Sequence, residues 1–444
     1  MIRRVYLSLL CGFIYMSLSA QDWNKTAYAR EIIAALTAEN MHGRGYVNDG
    51  DQLAAAYIKS AFQQFGLKSF TSDYYQKFEF SVNTFPGIIR FSFQGKDRRT
   101  KKKIAWEAKP GIDLLVSAGF SGCKASYPVI VFDSTDAVSD KTIEEFKKRM
   151  SSKAVYILVD DRHVKDKKKL EYFTKVRQGY FESAGIIELP AKLTHTVSTS
   201  EGKVKSIKLL ADSFKLDPKN IKHLQANIEV ENQFIPQHQT QNVIGYVEGA
   251  VHPDSFLIFS AHYDHLGQLG KTVYFPGAND NASGCAMLLN LARYYALPEH
   301  KPNYSIAFIA FAGEEIGLLG SEYYTQNPLV PLKNTFFLLN MDIMGTGDEG
   351  ITVVNGTVFK KEFDELVKIN VTDHLLKEVK IRGKAANSDH YHFSEKGVKA
   401  FFIYTLGGIK AYHDVYDRAE TLPLTKFEEL FTMIIRFTDY LQHH

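Results

Sequence analysis

Two adjacent glutamates, Glu314 and Glu315, follow a long apolar run in the second half of the chain. They lie in FAGEEIG, directly after the run that ends at Phe311. Such a run is typical of a buried strand, and each unpaired charge removed from water costs on the order of several kcal/mol. We therefore expect a cation beside this pair. Adjacent residues of an extended segment point to opposite sides, so one carboxylate can bind the cation while the other faces an open cleft.

Acids and imidazoles also follow other apolar runs in this half of the chain. The residues are His262 and Asp264 in SAHYDHLG, Asp280 in PGANDNASG, Asp342 in NMDIMG and His413 in AYHDVYD. One such group alone is more often structural, but no Arg or Lys in these segments balances the acids. Without a cation the acids would repel one another. Nitrogen and oxygen ligands without cysteine favour Zn²⁺, with Mn²⁺ or Co²⁺ as substitutes.

The number of candidate ligands suits two zinc ions that share one carboxylate. The candidates are His262, Asp280, Glu315, Asp342 and His413. We predict that Glu315 is a ligand and that Glu314 is the general base, which takes a proton from metal-bound water. The spacing of His262 and Asp264 permits the carboxylate to hold the second nitrogen of the imidazole.

The elements that carry these residues indicate an α/β fold. Four runs are apolar along almost their whole length, as are strands covered on both faces. They are FLIFS (Phe256–Ser260), YSIAFIAFA (Tyr304–Ala312), TFFLLNM (Thr335–Met341) and KAFFIYT (Lys399–Thr405), with helical segments such as Gly284 to Tyr295 between them. We predict a three-layer sandwich with a mostly parallel, mixed central sheet. Ligands bind at the carboxyl ends of such strands, so the candidate residues should converge there.

The character of the sequence changes along the chain, which predicts three structural regions. Residues 21–74 contain two predicted helices, Thr26 to Leu36 and Asp51 to Phe65, which we assign to the domain of the central sheet. Residues 75–236 contain short apolar or alternating runs between lysine-rich turns, which predicts an inserted β-rich module. We expect this module to cover part of the cleft and to supply no metal ligand. Residues 237–444 form the predicted catalytic domain.

Residues 1–20 have the pattern of a secretory signal peptide. Arg3 and Arg4 precede an apolar run from Val5 to Leu18, and a small residue, Ala20, offers a cleavage site. A membrane anchor is the alternative, for which the run is short. We predict an exported protein, periplasmic, secreted or at the cell surface, with no stable membrane span after cleavage.

Composition excludes two further classes of site. The net charge is +3, and the basic runs KDRRTKKK and KDKKK contain no aromatic residue, so nucleic acid is not an expected partner. Once the leader is removed, Cys123 and Cys285 are the remaining cysteines, which excludes a metal site built from thiolates.

Six motifs resemble the co-catalytic di-zinc aminopeptidases of the bacterial leucyl aminopeptidase and aminopeptidase Y type. They are SAHYDHLG, PGANDNASG, FAGEEIGLLGS, NMDIMG, SDHYHF and AYHDVYD. The resemblance runs from Gln241 to the C-terminus. The segment LTAENMHGRG is similar to members with a protease-associated insertion. The resemblance implies one zinc at His262 and Asp342, another at Glu315 and His413, a bridging Asp280, a general base at Glu314, and Asp264 beside His262. It also implies a cis peptide bond between Asp280 and Asn281.

The sequence departs from some relatives at one position. Those relatives place an oxyanion-stabilising tyrosine shortly before the SDH stretch, which here reads KAANSDH. Either Tyr412 takes this role or the metals suffice.

We predict an exported zinc aminopeptidase that acts on peptides with a free N-terminus. The alternative is a glutaminyl-peptide cyclotransferase, a single-zinc enzyme of the same fold that shares the HYD motif, the acidic pair and the late histidine. A catalytically inactive binding ectodomain is a weaker alternative, because the ligands and the base are intact. The sequence does not predict the oligomeric state.

Overall fold

The computed structural model describes residues 23–150 and 154–443, so the predicted signal peptide lies outside the described residues. The helices are α1 (Lys25–Leu36), α2 (Gly50–Gln64), α3 (Asp140–Arg149), α4 (Lys167–Arg177), α5 (Ser283–Ala296), α6 (Leu319–Gln326), α7 (Lys360–Asp373), α8 (His390–Glu395) and α9 (Phe427–Leu441). The strands up to residue 230 are β1 (Tyr75–Thr84), β2 (Ile89–Asp97), β3 (Lys103–Ala108), β4 (Leu114–Val116), β5 (Cys123–Asp133), β6 (Tyr156–Asp160), β7 (Gly185–Glu188), β8 (Ser206–Leu209) and β9 (Ile221–Val230). The later strands are β10 (Gln233–Val247), β11 (His252–His262), β12 (Gln268–Leu269), β13 (Val273–Tyr274), β14 (Tyr304–Phe311), β15 (Thr335–Met341), β16 (Gly350–Val354), β17 (Val379–Ile381) and β18 (Ala400–Leu406).

The first sheet has the strand order β1-β10-β14-β11-β15-β18-β16-β17. Its central strands β14, β11, β15 and β18 run parallel to their neighbours in that group. Strand β10 is antiparallel to β14, and β16 is antiparallel to β18. The prediction of a mostly parallel, mixed sheet is confirmed. Because the parallel strands share one carboxyl edge, residues that follow them are brought together there.

Helices cover both faces of this sheet, which makes three layers. On one face, Leu257 and Phe259 of β11 pack into a core shared with α1, α2, α5 and α9. On the other face, Ile258 packs with Tyr324 of α6 and Phe393 of α8. Burial on both faces explains why the central strands are almost continuously apolar. In the part of the chain that the structure describes, no helix has the length and apolarity needed to cross a membrane.

The inserted module is built on a second eight-stranded sheet, of order β3-β2-β9-β5-β6-β7-β8-β4. Strands β2, β3 and β9 are antiparallel, whereas β5, β6, β7 and β8 run parallel and alternate with α3 and α4. The module is therefore rich in β-structure, as predicted, and it also contains two helices, α3 and α4, that the prediction did not include. Its parallel strands are short, and short apolar runs do not reveal from sequence whether their neighbours are parallel.

The predicted start of the module at residue 75 is wrong by one strand. Strand β1 pairs with β10 in the first sheet, and the second sheet begins at Ile89. Buried Phe78 alternates with exposed Lys77 and Glu79 in β1, the pattern of a half-exposed edge strand. Strands of the inserted module show the same alternation, so the sequence pattern did not distinguish β1 from the strands of the module.

Candidate metal centre

The carboxyl edge of the first sheet brings the predicted site residues together. His262 is the last residue of β11, and Asp342 directly follows β15. Glu314 and Glu315 follow β14, and His413 lies in the loop after β18. Asp280 lies in a short helical turn before α5 and is buried. These side chains are thus placed by several elements that meet at one edge of the sheet.

Asp280 lies between two imidazoles and presents one carboxylate oxygen to each. Its Oδ1 is 3.3 Å from Nε2 of His262, and its Oδ2 is 3.1 Å from Nε2 of His413. Ligand atoms about 2.0–2.1 Å from a tetrahedral zinc ion are themselves about 3.3 Å apart. The spacing of these atoms therefore suits two ions with Asp280 between them.

His262, Asp280 and Asp342 form the first cluster of candidate ligands. Nε2 of His262 lies 3.5 Å from Oδ1 of Asp342. Oδ2 of Asp342 accepts a hydrogen bond from Ser388 at 3.1 Å, but its buried Oδ1 has no hydrogen-bond partner among the described residues. A buried carboxylate oxygen without a partner is costly, and a metal ion would satisfy it.

Glu315, Asp280 and two histidines form the second cluster. Oε2 of Glu315 lies 3.1 Å from Nε2 of His413. Its other oxygen, Oε1, lies 2.6 Å from Nδ1 of His265, a buried residue whose Nε2 has no partner in the described part of the chain. His265 is also placed by geometry among the candidate ligands of this cluster. Because an ionised carboxylate only accepts hydrogen bonds, His265 donates to Glu315 and fixes its orientation.

The two adjacent glutamates differ in electrostatic environment. Burial and the neighbouring carboxylates, Asp342 among them, raise the pKa of Glu314 well above its usual range. Burial also opposes ionisation of Glu315, but hydrogen bonds with His265 and His413 outweigh it and lower the pKa of Glu315 to about 2. A carboxyl with a raised pKa is suited to carry a proton, and a carboxylate with a lowered pKa is suited to bind a cation.

Asp264 makes contacts different from those that its spacing predicted. Nδ1 of His262 is 3.1 Å from the Asp264 carbonyl oxygen and 3.7 Å from its carboxylate, so the backbone is the nearer partner of the imidazole. The carboxylate instead accepts hydrogen bonds from the backbone N–H groups of Glu314 and Glu315, at 3.1 and 3.3 Å, and from the Tyr46 hydroxyl at 2.8 Å. Asp264 therefore positions both glutamates.

Two residues that the sequence did not single out hold the loop of Asp280. The Asp417 carboxylate accepts the backbone N–H groups of Asn279 and Asp280, at 2.9 and 3.0 Å. The fully buried guanidinium of Arg44 donates to five backbone carbonyls, including those of Gly277 and Asp280. The peptide bond between Asp280 and Asn281 is cis, as the resemblance implies.

His265 lies in SAHYDHLG and Asp417 in AYHDVYD, so their position beside predicted ligands was an available signal. Arg44 lies in MHGRG and Tyr46 follows it. Both precede their partners Tyr263 and Asp264 by about 220 residues, and only the fold brings them to the site. Gly277 shows the same dependence on packing. It has φ of +60°, and a Cβ there would lie 2.2 Å from the Asp280 carbonyl oxygen.

The donor set fits a metal site. Within the described residues, no Lys or Arg forms an ion pair with the acids of the two clusters, whose partners are histidines. Three carboxylates and two or three imidazoles at ligand spacing, with an orphaned oxygen on Asp342, match the nitrogen and oxygen ligands that zinc accepts. The fold and the site together define a candidate metal centre at the carboxyl edge of a mixed α/β sheet.

Comparison with known proteins finds a family match over the segment that contains the site. Residues 242–438 match the sequence profile described as Peptidase family M28, and they include every predicted ligand. This segment, which is a little under half of the chain, is therefore similar to that peptidase family.

Two curated relatives match a shorter segment. The aminopeptidase YwaD of Bacillus subtilis is 39% identical over 114 residues, and a probable zinc metalloprotease of Pyrenophora teres is 40% identical over 113 residues. These segments are 25% and 24% of this chain, and in each case 23% of the relative's length.

Two solved structures share the fold over almost the whole chain. A zinc aminopeptidase from Bacillus subtilis superposes with a TM-score of 0.63 and 17% identity, covering 93% of this chain and 94% of that one. An aminopeptidase from Aneurinibacillus sp. strain AM-1 superposes with a TM-score of 0.59 and 18% identity, covering 94% and 95%. The likeness therefore extends across the inserted module.

Proposed function

We propose that this protein is an exported aminopeptidase that uses two zinc ions to remove N-terminal residues from peptides. The observation that carries the proposal is Asp280, whose two oxygens face imidazoles on opposite sides at 3.3 and 3.1 Å. A carboxylate so placed would be shared by two ions, one beside each imidazole. The similar proteins include a zinc aminopeptidase and the aminopeptidase YwaD of Bacillus subtilis, which supports the reaction type.

His262 and Asp342 would hold one zinc and Glu315 and His413 the other, with Asp280 shared. When bound, the ions would supply an acidified water and a polarised substrate carbonyl. Glu314 lies outside both ligand clusters, and its Oε2 is 3.9 Å from Nε2 of His262. Its raised pKa suits it to accept a proton from the attacking water and to return it to the leaving amine.

Tyr412 is our candidate for the group that donates to the developing oxyanion. It lines the same cavity as Glu314 and Asp342, and its ring stacks on His413 with centroids 4.0 Å apart. Burial and the nearby carboxylates raise the pKa of Tyr412 above its usual value, so the hydroxyl keeps its proton and remains a donor at neutral pH. This supports Tyr412 in place of the tyrosine missing from KAANSDH.

Zinc content and the need for a free amine test the proposal together. We expect two zinc ions per chain, and hydrolysis of leucyl p-nitroanilide at least about tenfold to a hundredfold faster in kcat/KM than hydrolysis of its N-acetyl derivative, because the cap removes a charge that the site's acids attract. Equal rates would indicate an acylase or endopeptidase. A single zinc with pyroglutamate formed from a glutaminyl peptide would indicate a cyclotransferase, and a metal-free inactive protein would indicate a binding ectodomain.

Export is tested separately with the full chain. Expression with the native leader should give a mature protein outside the cytoplasm whose N-terminus begins near residue 21. An uncleaved chain in the cytoplasmic fraction would contradict this part of the proposal.

A further inference from the structure

The cavity over the metal centre has one wall that the proposed reaction does not use. The cavity has a volume of about 550 Å³ and contains Glu314, Asp342 and His413. Its unused wall carries Arg382 and Tyr404. Among the described residues that line the cavity, Arg382 is the one lysine or arginine. A positive charge therefore lines the same cavity as the candidate metal centre.

The backbone of Arg382 is held at the edge of the first sheet. Arg382 directly follows β17, and its N–H donates to the Val353 carbonyl at 3.0 Å. Its carbonyl accepts the N–H of Thr357 at 3.4 Å. The guanidinium Nη1 donates to the Tyr404 hydroxyl at 3.2 Å. These contacts hold the backbone of Arg382 and give its guanidinium one hydrogen-bond partner, while the side chain remains exposed to solvent.

Arg382 has no carboxylate partner among the residues that the structure describes, whereas nearby lysines do. Lys384 pairs with Glu395, and Lys399 pairs with Glu362. The hydrogen-bond partner of the Arg382 side chain is a neutral hydroxyl, so most of its donors remain available. A guanidinium presents a planar fork that matches both oxygens of a carboxylate. A carboxylate of a bound substrate could therefore serve as the partner of Arg382.

We propose that Arg382, positioned by Tyr404, binds a carboxylate of the peptide substrate and makes the enzyme selective for it. This inference rests on the proposed peptidase function and adds a substrate class to it. The carboxylate has two possible sources. One is the side chain of an acidic N-terminal residue, and the other is the C-terminal carboxylate of a dipeptide, which lies one residue beyond the scissile bond.

Two substrate pairs that differ only in this charge separate the sources. Glutamyl p-nitroanilide is compared with glutaminyl p-nitroanilide, and the dipeptide Leu-Gly is compared with its amide. We expect the wild-type enzyme to prefer the charged member of one pair by about tenfold to a hundredfold in kcat/KM, the effect of one charge-assisted contact. The preferred pair identifies the source.

Variants assign the preference to the guanidinium. Arg382→Met should abolish the charged-to-neutral ratio, Arg382→Lys should retain part of it, and Tyr404→Phe should reduce it. Lys384→Met is the matched control, because Lys384 is exposed, two residues away and already paired, and it should keep the wild-type ratio. Ratios are measured within each variant, so a general loss of activity does not imitate the effect.

The inference and the proposed function fail in different ways. If the wild-type enzyme hydrolyses neither leucyl p-nitroanilide nor any member of the two pairs, the proposed function is wrong. If it hydrolyses any of these substrates but shows no charge preference in either pair, or if the preference survives Arg382→Met, the inference about Arg382 is overturned while the peptidase function stands.

Discussion

The two eight-stranded sheets place acids at the same position, the carboxyl ends of parallel strands, but balance them differently. In the inserted module, β5 ends at Asp133, β6 at Asp160 and β7 at Glu188. Each of these acids meets a cation from the module itself. The pairs are Asp133 with Lys219 at 2.7 Å, Asp160 with Arg162 at 2.9 Å and Glu188 with Arg177 at 3.1 Å. At the corresponding edge of the first sheet, the partners of the acids are histidines.

The pKa values follow this difference. Burial opposes ionisation of Asp160, but hydrogen bonds from Arg162 outweigh it and lower its pKa. Glu314 has no such partner, and its pKa is raised. Acids whose charge is balanced within the chain need no further ligand, so the module's cavity of about 820 Å³, which contains Arg162, Arg177 and Glu188, does not by itself indicate a second metal site. The acids at the carboxyl edge of the first sheet have no Lys or Arg partner among the described residues, and they therefore indicate a metal site.

The two regions meet at the second cluster. Nδ1 of His413 donates to the backbone carbonyl of His195 at 3.2 Å, and the His195 N–H donates to the His413 carbonyl at 2.9 Å. Lys192 reaches Asp414 at 3.1 Å and the Lys410 carbonyl at 2.9 Å. Both His195 and Lys192 belong to the inserted module. In the described residues the module adds no side chain to the ligand clusters, but it orients the imidazole of one candidate ligand.

The largest difference between the two sheets should appear in kcat when the proposed base, Glu314, is replaced. Glu314→Gln should lower kcat by about 10²–10⁴-fold while zinc content is unchanged, because the amide cannot carry the proton. The matched change in the module, Asp160→Asn, should leave kcat unaltered. The measurement is steady-state hydrolysis of leucyl p-nitroanilide with elemental analysis of both variants. Full activity in Glu314→Gln would remove this residue from the mechanism.

The neighbouring glutamate should respond in a different assay. Glu315→Gln should weaken zinc binding at one of two sites by at least about tenfold to a hundredfold, because a neutral amide replaces a buried ligand with a low pKa. Competition with a chromogenic chelator measures this affinity directly. A zinc titration identical to that of Glu314→Gln would contradict the proposal that Glu315 is a ligand and Glu314 the general base.

The sequence predicted the candidate ligands of the site better than the residues that hold those ligands in place. Acids and imidazoles after apolar strands are local patterns, so His262, Asp280, Glu315, Asp342 and His413 could be named before the fold was known. Arg44 and the His195 carbonyl act through contacts that join distant parts of the chain, and a backbone carbonyl carries no sequence signal at all. The same reasoning explains why β1 was assigned to the wrong sheet, since pairing partners are set by tertiary contacts.

Loosening the contact between the regions should have a smaller effect on metal affinity. Lys192→Met removes the bridge to Asp414 and should weaken the zinc site of His413 by about tenfold or less, since outer contacts of a ligand typically affect affinity by 10–100-fold and this one acts through the loop. Lys205→Met is the control, because Lys205 reaches the Gly122 carbonyl within the module. Equal zinc affinities in the two variants would show that the module does not support the site through Lys192.

The smallest effect should come from breaking a charge pair that serves the module alone. Asp160→Asn should lower the free energy of unfolding by about 1 kcal/mol or less at pH 7, because the pair with Arg162 is partly exposed. The pKa of Asp160 is lowered in the folded state, so its contribution is fully present above its unfolded pKa of about 3.9 and is lost as the pH falls through the folded value. The unfolding free energies of wild type and Asp160→Asn in urea should therefore differ at pH 7 and converge as the pH falls through the folded pKa of Asp160. Zinc content and kcat should match the wild type at pH 7, because this acid already has its cation within the chain. A loss of zinc in this variant would contradict the distinction between the two sheets, since it would mean that the module's paired acids also contribute to metal binding.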